Sequence, residues 1–184
     1  MMSPRWRKAL LVAHVTTAVG WLGAVAAFLA VAVTAATTDD AGLASACVLV
    51  MELLGWAVLV PLSGASLVTG VIQSLATPWG LFRHYWVVFK LLINVVASVI
   101  LVMYMQTLAA LAGSAAGSAG TTAPDVVAAG QHGMPQAFSP VLHAGGALVL
   151  LLLAVLLSVY KPKGLTCYGQ RAARGTGEPA VGRP

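Results

Sequence analysis

Long apolar runs alternate with short polar breaks along this chain. Four runs, about 10–35, 43–73, 84–111 and 140–160, are long enough to cross a membrane. A bilayer core of about 30 Å takes about 20 helical residues. Strands of a membrane barrel would alternate in polarity over about ten residues, and none of these runs does. Inside lipid every backbone N–H and C=O needs an internal partner, so each run is expected to be a helix. Pro61 interrupts the second run and predicts a kink. The fold class that follows is all-α, a four-helix transmembrane bundle with antiparallel helices.

Composition agrees with the pattern. The chain has 184 residues, of which 59% are hydrophobic and 8% charged. Soluble domains carry about 25% charged residues, so an ordinary cytosolic enzyme or a nucleic-acid module is excluded. Between Ala9 and Tyr160 the charged side chains are Asp39, Asp40, Glu52, Arg83, Lys90 and Asp125 alone. The net charge of +5 then speaks of topology rather than of a nucleic-acid partner.

Arg5, Arg7 and Lys8 precede the first span, Arg83 lies between the second and third, and Lys161, Lys163, Arg171, Arg174 and Arg183 follow the fourth. Asp39, Asp40 and Asp125 fall on the other side, with no Lys or Arg beside them. Basic residues stay in the cytoplasm, so both termini are expected there, in a multi-pass protein of the cell inner (plasma) membrane. The first apolar core is well over the roughly 7–15 residues of a signal-peptide core, so the span is expected to remain attached. Cys47 and Cys167 fall on opposite sides, and no disulfide is expected between them.

Residues 1–163 read as the membrane domain. The stretch 112–139 holds Gly113-Ser114-Ala115-Ala116-Gly117-Ser118-Ala119-Gly120 and reads as a flexible outer loop. The Gly-, Arg- and Pro-rich residues 164–184 read as a disordered cytoplasmic tail. Thr77 to Arg83 is a short aromatic turn that predicts a tight hairpin between spans two and three.

Ionisable groups inside a bilayer cost about 2.5–3.5 kcal/mol on insertion scales, and each is a functional candidate. His14, Glu52, Lys90 and His143 qualify. His14 and Lys90 each lie about 10 Å in from the basic side, and Glu52 and His143 form a second layer toward the other side. His84 reads as an interface anchor and His132 as a solvated loop residue. At 100° per residue, Lys90, Asn94 and Ser98 share a stripe. So do His14, Ala18, Trp21 and Val25 on span one. Glu52, Trp56, Ser63, Ser66 and Gly70 share a face of span two, and His143, Ala147, Leu150, Ala154 and Ser158 one of span four. Small side chains on these faces serve helix packing or leave a slot for a flat cofactor.

Several strings resemble a known family. They are His-Val-Thr-Thr-Ala-Val-Gly-Trp-Leu-Gly at 14–23, Thr-Pro-Trp-Gly-Leu-Phe-Arg-His-Tyr-Trp at 77–86, and Tyr-Lys-Pro-Lys-Gly-Leu-Thr at 160–166. Across residues 8–168 the chain resembles small actinobacterial four-span membrane proteins of unknown function. More distantly, His14 followed by Trp21 and Gly23, with Lys90 early in span three, looks like the four-helix membrane protoporphyrinogen oxidase. It also looks like the related copper-resistance membrane domain. The chain departs from the oxidase at Ala-Val-Ala-Ala-Phe-Leu-Ala, residues 24–30, where an aromatic and basic stretch is expected. The likeness implies haem b, with His14 and Lys90 as the functional pair.

Three functions follow as expectations. The first is haem b binding for redox chemistry or electron transfer, with a haem-dependent membrane oxidoreductase as the enzyme class. His14 is then an axial ligand, and His143 a second ligand or the holder of a second haem. Lys90 is the catalytic or propionate-pairing residue, and Asn94 and Trp21 line the cofactor. The depths of His14 and His143 differ by well over about 10 Å, which argues against one haem held by both. The second is copper handling or transport, because Met51, Met103, Met105 and Met134 lie in the outer half with His132, His143 and Glu52. The third is a cofactor-free accessory subunit. Expected partners are the lipid bilayer and a membrane redox partner or a second copy, with no nucleic acid. Phosphate-loop, dinucleotide and His-Glu-x-x-His signatures do not occur.

Overall fold

The computed structural model describes residues 3–76, 84–118, 133–160 and 166. Among these there is no β-strand, and long helices account for nearly all of the described residues. Helix α1 runs Pro4–Thr37, α2 Ala41–Leu54 and α3 Val60–Ala76, with a π-helical turn at Gly55–Leu59 joining α2 to α3. Helix α4 runs Tyr85–Ser118 and α5 Gly133–Tyr160. Four helical segments are long and apolar enough to cross a membrane: Arg5–Thr37, Ala41–Leu75, Tyr85–Gly113 and Phe138–Tyr160.

The helix ends follow local chemistry. Pro4 stands in the first turn of α1, where its missing N–H costs nothing. Asp40 caps α2, its Oδ1 accepting from the backbone of Gly42 at 2.8 Å and of Leu43 at 3.3 Å. The acidic pair on the far side thus supplies a helix start as well as a topology signal. Helices α4 and α5 reach beyond the apolar runs, to Ser118 and from Gly133. The stretch 112–139, expected as loop, is therefore helix at both its ends. His132, Cys167 and most of the tail lie outside the described residues.

The break at Pro61 takes a specific form. Proline cannot donate to the carbonyl four residues back, and its ring crowds that carbonyl. The helix widens just before it, and the Val60 N–H donates to the Gly55 carbonyl five residues back. This extra residue rotates everything upstream by about one position. Regular 100° spacing puts Glu52 and Trp56 on the face of Ser63 and Ser66. In the structure Met51 and Gly55 are buried in that place, while Trp56 is 50% exposed and Glu52 only partly covered. The expected polar face of span two is thus corrected by the π turn.

Helix α1 packs against α2, α3 and α5, and α4 packs against the same three. Helices α1 and α4 therefore face each other across a diagonal. The core is built from one face of each. On α1 it is Trp21, Val25, Phe28 and Ala32, spaced four, three and four. Met51 and Leu59 meet it from span two, Ala97, Met105 and Leu108 from α4, and Ala144 and Leu151 from α5. Met105 is seated on the bare Cα of Gly55, where any side chain would collide with its sulfur. Valines, leucines and Phe89 cover the outer surface, as contact with lipid requires.

Candidate functional site

A polar cavity of about 650 Å³ lies where α1 and α4 begin and α3 and α5 end. Arg7, Lys8 and His14 line it from α1, and Ser66, Gly70, Gln73 and Ser74 from α3. Lys90 and Asn94 line it from α4 and Ser158 from α5. Its volume falls among small-molecule sites, about 300–1,000 Å³. Leu11, Val15, Leu67, Val87 and Leu91 make its apolar walls.

The contacts of His14 favour one tautomer. Its Nδ1 is 3.2 Å from Thr69 Oγ1. The Thr69 hydroxyl has a single hydrogen, and that hydrogen goes to its own helix, with the Ala65 carbonyl at 2.6 Å and the Ser66 carbonyl at 3.2 Å. Toward the imidazole it presents only a lone pair, so Nδ1–H donates to Thr69. Thr17 spends its hydrogen the same way, on the carbonyls of Ala13 and His14. The remaining nitrogen, Nε2, keeps its lone pair in the neutral ring. Gly70 makes room for this arrangement: a Cβ there would stand 3.0 Å from Cε1. The Thr69-Gly70 step thus seats the ring, one residue bonding it and the next admitting it.

Lys90 lines the same cavity as His14. Its ammonium is tied toward the basic end of the bundle, to a residue two positions before the end of α5. Its Nζ donates to Ser158 Oγ at 3.1 Å across the bundle. Arg7, Lys8 and Lys90 are the cations of the cavity, and no carboxylate is among its described lining residues. Asn94 Oδ1, Gln73 Oε1 and Ser66 Oγ are buried without a hydrogen-bond partner in the protein.

His143 lies elsewhere. It lines a second cavity, of about 410 Å³, together with Tyr104 and Met105. Its imidazole stacks on Tyr104 with centroids 4.1 Å apart. Tyr104 is fourteen residues beyond Lys90 on α4, about 21 Å along the axis. His14 and His143 therefore do not converge on one ligand. Trp21 lines neither cavity; it is 2% exposed in the apolar core, its Nε1 without a partner. Glu52 lines neither cavity either.

The described methionines differ in their surroundings. Met51 and Met105 are fully buried, whereas Met103 is 68% exposed on the outer surface. Among the described residues no group of three His, Cys, Asp or Glu side chains is placed to hold a metal.

Sequence reasoning found His14, Lys90 and Asn94 together, and it missed Thr69, Gln73 and Ser158 as their neighbours. Arg7 and Lys8 read only as topology signals. The sequence marker for Thr69 is its place immediately before a glycine, on the polar face of a span.

These features define the class: an all-helical chain with four membrane-capable helices and a basic cavity between them. No family model matches the chain, nor does a curated protein or a solved structure.

Proposed function

We propose that this chain is a four-span protein of the inner membrane that binds haem b in the cavity at its basic end. In this reading the helices alternate in direction and both termini lie in the cytoplasm. The alternation is supported by two pairings, of His14 near the start of α1 with Thr69 near the end of α3, and of Lys90 near the start of α4 with Ser158 near the end of α5. The basic residues flanking the spans support the orientation.

The observation that carries the haem reading is three cations, without a carboxylate, around an imidazole whose Nδ1 is already committed as donor. A ligating histidine normally gives its other N–H to an acceptor, which fixes the ring and raises its basicity. Thr69 is that acceptor. Haem b carries two carboxylates, and Arg7, Lys8 and Lys90 supply the countercharge they need. The leucines and valines of the wall suit the porphyrin faces. When bound, haem b supplies one-electron redox chemistry at its iron.

The chain's own residues do the rest. Thr69 and Gly70 hold His14 in its ligating tautomer. Ser158 holds Lys90 Nζ at the cavity, where an ammonium can pair an anion or release a proton.

The test is haem titration of the detergent-purified protein, followed in the visible spectrum. Wild type is expected to give a saturable Soret band that His14→Ala removes or shifts. No band in wild type, or the same band in His14→Ala, overturns the reading and leaves the chain as a cofactor-free subunit or a handler of other anions. Copper is tested in the same preparation by competition against a Cu(I) chelator. Copper handling predicts loss of binding in His143→Ala and Met105→Leu and none in His14→Ala.

A further inference from the structure

The second cavity is independent of the haem reading. It is bounded by α1, the π turn, α4 and α5, and walls such as Phe28, Leu101, Ala147 and Leu150 are apolar. No Asp, Glu, Lys or Arg is among its described lining residues. The cavity opens sideways: Leu142 and Ile100 line it and are also 72% and 43% exposed on the outer surface. Its depth also matters. His143 is five residues into the span that begins at Phe138, about 8 Å from that end.

One polar feature stands out in this wall. His143 Nδ1 is 2.8 Å from the Ser139 carbonyl. A carbonyl only accepts, so Nδ1 carries the hydrogen and Nε2 of the neutral ring keeps a lone pair. Tyr104 covers one face of the ring, with an interplanar angle of 20°. Its hydroxyl is buried and makes no hydrogen bond of good geometry. The cavity thus presents an acceptor nitrogen and an aromatic pair in an apolar wall that opens to lipid.

A phospholipid acyl chain leaves that nitrogen unpaired, and an anion meets no countercharge. A flat apolar ring bearing a hydroxyl satisfies both the wall and the nitrogen. We propose that this cavity is a binding site for a membrane hydroquinone, its ring beside the Tyr104–His143 stack, one hydroxyl donating to His143 and its tail leaving between Ile100 and Leu142.

The test uses the full chain in phosphatidylcholine nanodiscs under argon, with duroquinol, its dimethyl ether and dodecanol as probes in equilibrium binding. Duroquinol is expected to bind saturably. The ether, which cannot donate, is expected to bind about tenfold more weakly, the cost of one lost hydrogen bond to the exposed His143 in its apolar wall. Dodecanol, with a hydroxyl but no ring, is also expected to bind more weakly. His143→Phe keeps the ring stack and removes the acceptor, so quinol and ether should then bind alike. Ala147→Leu fills the cavity and should weaken both. Equal binding of quinol and ether to wild type overturns the proposal, and that comparison needs no variant to fold. Dodecanol binding as tightly as the quinol, or discrimination surviving in His143→Phe, overturns it as well.

Discussion

Residue-level chemistry in this protein turns on which hydrogens are already spent. Thr69 donates within its own helix, so it can only accept from His14. Thr69→Val keeps the shape and removes the acceptor. It is expected to lower haem affinity by about 10–100-fold, the usual cost of losing a ligand's outer partner, with unchanged helical content by circular dichroism. An unchanged affinity would remove Thr69 from the site. Lys90 gives a second prediction. Without a carboxylate among its described neighbours in the cavity, its charge needs an anion from outside the protein. Lys90→Met is expected to release haem more readily than Lys90→Arg, read as haem retained per protein after size-exclusion chromatography, while both insert normally. A lysine reaching only to the surface would make Lys90→Met nearly silent.

At the scale of the element, the π turn decides which face of span two points inward. It exists because Pro61 cannot continue a regular ladder, and it brings Gly55 under Met105. Gly55→Val should destabilise the fold by about 1–3 kcal/mol through overpacking. Met105→Ala in the same chain should recover part of that loss, because the two changes share one contact. Both are read from thermal unfolding midpoints in one detergent. Additive effects would mean that the Gly55–Met105 contact does not hold the turn in place.

For the molecule as a whole, the arrangement is a basic end and an acidic end separated by four apolar helices. The proposed orientation predicts that Cys167 reacts with an impermeant maleimide only after the cytoplasmic face is opened. Cys47 is buried at 8% exposure, so it contributes little to that signal. Labelling of Cys167 in intact cells would reverse the topology. In that event the polar cavity would face outward, and its ligand would have to arrive from outside.

Helix identity, approximate span ends and the joint depth of His14 and Lys90 were legible in the sequence, because hydrophobicity and rise per residue are local properties. The inward stripe of α5 was legible for the same reason: Ala147 and Leu150 line the second cavity, and Ser158 the first. Local spacing failed at span two. One extra residue in the π turn replaced Glu52 and Trp56 by Met51 and Gly55, and only the packing against Met105 shows that substitution of faces. Partners were equally out of reach of the sequence. Thr69 is 55 positions from His14, and Ser158 is 68 from Lys90. Which hydroxyl meets which ring depends on how the helices are rotated against one another. That rotation is set by the interlocking of all four helices at once, whereas length and polarity, which each segment carries by itself, were enough to say that the chain is made for a membrane.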